Sequence, residues 1–149
     1  MNKGGTSLIL GGIASLLAAL AHVACIVFGA AWFRFFGAPE PLIVNYENGA
    51  MGLVWMTIGI AVILAIWAAY AFSGAGKLPK LPLLRTGLIV IAGIYLLRGV
   101  ILFPAIANAP YPRSDFDIWS SAIVLVMGLA YAFGTWRAWP TLGAPRSAA

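Results

Sequence analysis

Arg98 lies inside an apolar run, where an arginine must be paired, solvated or put to use. With its span, about residues 83–103, centred near Gly93, it sits about 7.5 Å towards one membrane face at 1.5 Å per residue. The hydrocarbon half-thickness is roughly 15 Å, so the guanidinium is still at lipid depth. That costs about 2.5–3.5 kcal/mol unless the side chain snorkels to the interface or pairs. The carboxylates placed to meet it are Glu47 and Asp117, both abutting helix N-termini, where the helix dipole favours an anion. Tyr95, three residues earlier, shares the face of Arg98. Trp55, deep in another span, needs a partner for its indole N–H and is a candidate wall of the same pocket. Arg98, Tyr95, Glu47, Asp117, Trp55 and His22 form the expected ligand-binding set. A guanidinium beside apolar walls suits a lipid, a carboxylate-bearing amphiphile or another small amphipathic molecule. The alternatives are a snorkelling Arg98 and an ion pair that only fixes helix register.

His22 is the one histidine and Cys25 the one cysteine. With Ser15, Ala18 and Gly29 they make a stripe of small and weakly polar residues at helical spacing, the kind that admits a neighbouring helix or a second copy of the chain. One His and one Cys fall short of the three or four ligands of a zinc site, so no metal and no cofactor are expected. A single cysteine also excludes an intrachain disulfide. Similar stripes occur at Asn48, Gly52, Trp55 and Gly59, and at Ser121, Gly128 and Thr135; both predict close helix packing.

The elements that hold these residues follow from composition. Of 149 residues, 62% are hydrophobic and 9% charged, far below the quarter or so of charge usual in soluble domains. The basic residues are scattered near the ends of apolar runs, which argues against nucleic acid as a partner and for membrane orientation. Four runs approach the roughly 20 apolar residues of a transmembrane helix, at about 7–33, 49–72, 83–103 and 118–139. Asn48 is a candidate N-cap, and Pro82, Pro104 and Pro140 flank their spans where helices tolerate proline. The expected fold is all-α: a polytopic, single-domain bundle of four transmembrane helices over residues 1–149. Lys3, an apolar stretch and Ala19-Leu20-Ala21 imitate a cleavable leader, and Ala24-Cys25 a lipoprotein site. The apolar run continues past both, which predicts an uncleaved span.

Lys3, Lys77, Lys80, Arg85, Arg137 and Arg146 fall on one side of these spans, and all four acids, Glu40, Glu47, Asp115 and Asp117, on the other. The positive-inside rule then places both termini in the cytoplasm. Trp32, Tyr111 and Trp119 form an outer aromatic belt, and Trp67, Tyr70, Trp136 and Trp139 an inner one. The outer loops are stiffened by proline. In the first, Leu42-Ile43-Val44 is expected on the membrane surface or plugging the bundle mouth. Glu40, Arg113 and Asp115 read as ordinary solvated charge.

Three strings, Ala31-Trp-Phe-Arg-Phe-Phe-Gly-Ala-Pro-Glu40, Ala71-Phe-Ser-Gly-Ala-Gly76 and Tyr95-Leu-Leu-Arg-Gly99, give a likeness over most of the chain. The protein resembles small four-span bacterial inner-membrane proteins that carry no assigned activity. The resemblance implies fold and location, multi-pass in the inner (plasma) membrane, and no chemistry. The paired Arg, Asn and Glu signature of membrane glutathione and eicosanoid enzymes is missing, as is the span-one glutamate of small multidrug exporters. The first functional expectation is a binding protein or transport and assembly accessory with an outward-facing polar pocket around Arg98. Its partners would be membrane lipids, another membrane protein or further copies of itself. A structural subunit of a membrane complex ranks second. An enzyme acting on a lipid or quinone-like substrate ranks third, since no nucleophile–base pair, metal set or nucleotide loop is visible. A proton-coupled transporter lacks a mid-membrane acid.

Overall fold

The computed structural model describes residues 4–101 and 115–143. They form six helices and no strand: α1 (Gly5–Phe28), α2 (Ala30–Phe35), α3 (Glu40–Glu47), α4 (Gly52–Gly74), α5 (Leu84–Ile101) and α6 (Asp115–Leu142). Three helical segments, α1, α4 and the Ile118–Leu142 part of α6, are long and apolar enough to cross a membrane. The fourth expected span corresponds to α5, whose 18 residues include Arg85 near one end and Arg98 near the other; it is not among the three.

The four long helices run alternately up and down in a ring. α1 lies along α4 and α5 along α6, and the two hairpins join through α1 against α6 and, more loosely, α4 against α5. The main core, including Leu8, Ala19, Leu64, Leu88, Tyr95 and Tyr131, runs through this ring. A smaller core at one end of the bundle joins Cys25, Phe33, Ile43 and Leu53. Ile43, wholly buried at the centre of Leu42-Ile43-Val44, plugs that end of the bundle from a helix rather than a loop. Outside the ring, Leu17, Val62, Leu97 and Val126 are each more than half exposed, a surface suited to hydrocarbon and not to water.

Local chemistry explains where the observed elements depart from the expected ones. The first apolar run is broken at Gly29, with φ 76° and ψ −151°, a conformation essentially restricted to glycine. The chain then turns into α2 and α3, which arch across the bundle end. Asn48 is not the N-cap of α4. It closes α3 as C-cap, and α4 starts after Met51. α6 continues past Pro140. Proline supplies no N–H to the preceding turn, but the carbonyls of Trp139 and Thr141 accept hydrogen bonds from Arg85 Nη2 and Lys80 Nζ, both at 2.9 Å. Cations are favoured at a helix C-terminus. Ser73 closes the α4–α5 connection, donating to the Pro79 carbonyl at 2.8 Å and accepting from the Leu81 N–H at 3.0 Å.

Of the two stripes on α4 and α6, one packs as expected. Ser121, Gly128 and Thr135 are all buried. The α4 stripe is not: Asn48, Gly52, Trp55 and Gly59 are exposed, and a Cβ at Gly52 or Gly59 would meet nothing within 4 Å. The α5–α6 approach is so close that a Cβ on Gly128 would stand 2.8 Å from the Leu96 backbone nitrogen, and one on Gly99 2.9 Å from Leu125 Cα. Gly128→Val is therefore expected to cost about 1–3 kcal/mol through overpacking. Gly59→Val should cost far less. Thermal unfolding of the two variants in detergent micelles checks the contrast.

Candidate functional site

Of the six residues expected to share a pocket, Tyr95, Glu47, Trp55 and His22 are not brought together with one another, and the expected pairing of Arg98 with Asp117 falls on a side chain outside the described residues. Tyr95 is 4% exposed and points into the core, whereas Arg98, one turn on, is exposed on the flank that carries Ile94 and Leu97. Glu47 does not meet Arg98; both its oxygens accept from Arg34. Asp117 lies in the first turn of α6, but its side chain, like that of Asp115, lies outside the described residues, as do Arg113 and residues 102–114. Trp55 is 67% exposed and forms no pocket wall. Its indole lies on the outside because Leu53, Val54 and Thr57 are the residues that α4 buries there. His22 is half-buried and bonds within its own helix, Nδ1 to the Ala18 carbonyl at 2.8 Å, so Nδ1 carries the proton. Among the described residues no group of three or more His, Cys, Asp or Glu is placed to hold a metal.

What the core holds instead is a chain of hydroxyls. Ser15 Oγ lies 2.8 Å from Tyr95 Oη and 2.9 Å from Tyr131 Oη, and the Tyr131 hydroxyl donates to the Trp67 carbonyl at 3.0 Å. Each hydroxyl has one proton. With that of Tyr131 given to Trp67, Ser15 must donate to Tyr131 and accept from Tyr95. The order is Tyr95 to Ser15 to Tyr131 to the Trp67 carbonyl, one residue from each long helix. Gly11 makes room for it, since a Cβ there would lie 2.8 Å from the Tyr131 ring. The Trp67 indole meets the Tyr95 ring edge-on at 4.9 Å. A carbonyl accepts a hydrogen bond but passes no proton on, so the chain is a dead end for conduction. Its role is to hold the helices in register.

The arch of α2 and α3 carries the described ion pairs. Arg34 reaches Glu40 through Nε and Nη2, and Glu47 through Nη1 and Nη2, at 2.8 to 3.2 Å. This fork geometry suits two carboxylates at once. All three side chains are substantially exposed, so solvent screens them. The hydrogen bonds that Arg34 donates to Glu47, then those to Glu40, raise its pKa above the usual guanidinium value. The Arg34 hydrogen bonds hold the Glu47 carboxyl below its ordinary range.

A second feature lies on the lateral surface, between α5 and α6. Ile89, Gly93, Leu96, Ala132, Thr135 and Trp136 line a groove of about 400 Å³ with Trp139 at one end. This is within the roughly 300–1,000 Å³ of small-molecule sites. A Cβ on Gly93 would meet nothing within 4 Å, so the missing side chain leaves the groove open. The walls are apolar apart from Thr135, which is 4% exposed and whose Oγ1 finds no partner among the described residues. At the Trp139 end, the Arg85 guanidinium lies 4.7 Å from the ring centroid.

Comparison with models of protein families, with curated proteins and with solved structures returns no match.

Two outcomes are expected. Ser15→Ala removes two links of the hydroxyl chain and should destabilise by about 1–3 kcal/mol. Combined with Tyr131→Phe, the loss should be clearly less than the sum of the two single losses, as for residues in one network; a thermal double-mutant cycle in micelles measures this. The second concerns pH. Because the folded state lowers the Glu47 pKa, its contribution is present above the ordinary carboxylate range and lost as pH falls through the folded value. The acid side of the stability profile should flatten in Glu47→Gln.

Proposed function

We propose that the protein is a binding or accessory protein of a bacterial plasma membrane. It crosses the bilayer four times, through α1, α4, α5 and α6, with both termini in the cytoplasm. The reading of α5 as a span is supported by its length, about 27 Å at 1.5 Å per residue, close to the roughly 30 Å of hydrocarbon. It is also supported by its place between α4 and α6 in the ring. Arg85 and Arg98 near its two ends are long enough to snorkel to the two interfaces. Orientation follows from the basic residues at the Lys77–Arg85 end and the acids at the arch.

The observation that carries the binding function is the α5–α6 groove. It is apolar along its length, open through Gly93, and holds one buried hydroxyl without a partner among the described residues. A ligand entering there comes sideways from the bilayer, so it is a membrane lipid or another amphipathic molecule, not a solute arriving through an outer mouth. A second reading, a structural subunit of a membrane complex, is favoured by one specific feature. The α4 face of Gly52, Trp55 and Gly59 is exposed and meets no other helix at its glycines among the described residues, and small residues are common on contact faces between membrane helices.

Filling the groove tests the first reading. Gly93→Leu should leave thermal stability close to that of the parent while reducing the lipid that copurifies in mild detergent, counted by native mass spectrometry. Gly59→Leu should retain it. Equal retention by both variants would remove the groove as a site. Topology is checked in a Cys25→Ala background: Pro39→Cys should react with a membrane-impermeant thiol reagent from outside intact cells, and Lys77→Cys only after lysis.

A further inference from the structure

We infer that the occupant of the α5–α6 groove is an anionic diacyl phospholipid of the cytoplasmic leaflet, its phosphate at Arg85 and an ester carbonyl at Thr135. This rests on the lipid-binding reading above and specifies its ligand.

Arg85, Ile89, Gly93 and Leu96 follow one another at helical spacing on α5, and Ala132, Thr135, Trp136 and Trp139 do so on α6. The groove therefore begins beneath Arg85 and runs towards mid-membrane for about 10 Å, the rise from Ile89 to Leu96. At its mouth one Arg85 N–H goes to the Trp139 carbonyl at 2.9 Å, and the guanidinium lies over the Trp139 ring. That arrangement fixes the side chain at the interface and leaves the remaining Nη N–H groups for an anion, while Nε is buried and without a partner among the described residues. Tryptophan belongs at this depth, where an amphipathic ring meets both headgroup and acyl chain.

Charge sets the headgroup class. Lys77, Lys80, Arg85 and Arg137 all lie towards this end of the bundle, whereas the four acids are at positions 40, 47, 115 and 117, towards the other. Among the described residues nothing acidic lies near the groove mouth to repel a phosphate, and basic side chains attract anionic lipid by about 1 kcal/mol each near the surface.

Thr135 sets the linkage. It lies four residues, about 6 Å, deeper than Trp139. In a diacyl lipid the ester carbonyls follow the phosphate towards the chains, so at this level one is presented to an O–H that lacks an acceptor. The acyl chain continues past Gly93 between Leu96 and Ala132, where the walls carry no polar group.

The test is native mass spectrometry of the full chain with competing lipids of identical acyl chains: phosphatidylglycerol against phosphatidylcholine, and diester against diether phosphatidylglycerol. The parent should prefer phosphatidylglycerol by about fivefold, the factor for one basic side chain at a lipid surface. That preference should fall towards unity in Arg85→Gln and persist in Arg137→Gln. It should prefer the diester lipid, and Thr135→Val should abolish that preference alone. If the parent retains both headgroups equally and Gly93→Leu loses both, the groove binds lipid but the headgroup assignment fails. Equal loss of preference in Arg85→Gln and Arg137→Gln would also overturn it, leaving only diffuse surface charge. No diester preference would remove Thr135 from the site. If neither lipid is retained above the Gly93→Leu level, the lipid-binding reading itself falls. The parent comparison needs no variant, so an Arg85→Gln protein that unfolds leaves the headgroup question decided.

Discussion

The bundle turns on a chain of hydroxyl protons with one direction. Tyr95, Ser15 and Tyr131 each supply one O–H, and the run ends on the Trp67 carbonyl. In water such bonds would trade against solvent, but a hydrocarbon surrounding offers no replacement partner. Hydrogen bonds between membrane helices contribute about 0.6 kcal/mol on average and up to about 1.7, so these three do not dominate the stability. They act on register. Apolar side chains pack against lipid nearly as well as against each other, whereas a hydroxyl at the wrong height has nothing to bond. One set of four helix heights satisfies every member.

With its centre fixed by polar contacts, the bundle needs little from its exterior, and that exterior is free to differ from face to face. α4 presents Gly52, Trp55 and Gly59 outward; α5 and α6 leave a furrow where Gly93 lacks a side chain. The two ends differ in kind as well. One is closed by Ile43 and by an arginine shared between two carboxylates. The other is held by Lys80 and Arg85 on the last carbonyls of α6. Acids collect at the first and cations at the second, an asymmetry along the long axis that a symmetric helical hairpin would lack.

Much of this architecture is legible in the sequence, because length and apolarity are strong signals. The limits of α4 and the start of α5 come out within a few residues of those observed. The break at Gly29 is not legible, since the composition stays apolar across it and only the backbone angle distinguishes a hinge from a tolerated glycine. Facing is the harder problem. In a helix apolar on all sides, hydropathy carries no phase. Small residues then mark a packed face on α6 but an outward one on α4. The inward side of Tyr95 and the burial of Ser15 follow from their polarity. Tyr131 carries the same signal, a deep aromatic with a hydroxyl to satisfy, and matching it by depth with Ser15 and Tyr95 would have found the core network. Arg34 was hidden for a different reason: it looks like an isolated loop charge until α2 and α3 fold back and bring Glu40 and Glu47 to it. Thr135 is visible as a small-residue position, while the space beside it is a property of two helices together.

The position of α6 in the chain has a consequence for biogenesis. It supplies Tyr131 to the core network and the carbonyls that receive Lys80 and Arg85, so everything made earlier waits for it. Until the last long helix leaves the ribosome, Ser15 lacks the Tyr131 oxygen as acceptor for its proton, Gly11 faces an empty notch, and the α6 carbonyls that receive Lys80 and Arg85 are not yet in place. A nascent chain halted before that point holds three loosely associated hydrophobic segments with an open flank. Cooperative assembly is thereby deferred to the end of synthesis, and quality control acting on the unfinished intermediate has a polar, uncovered surface to recognise.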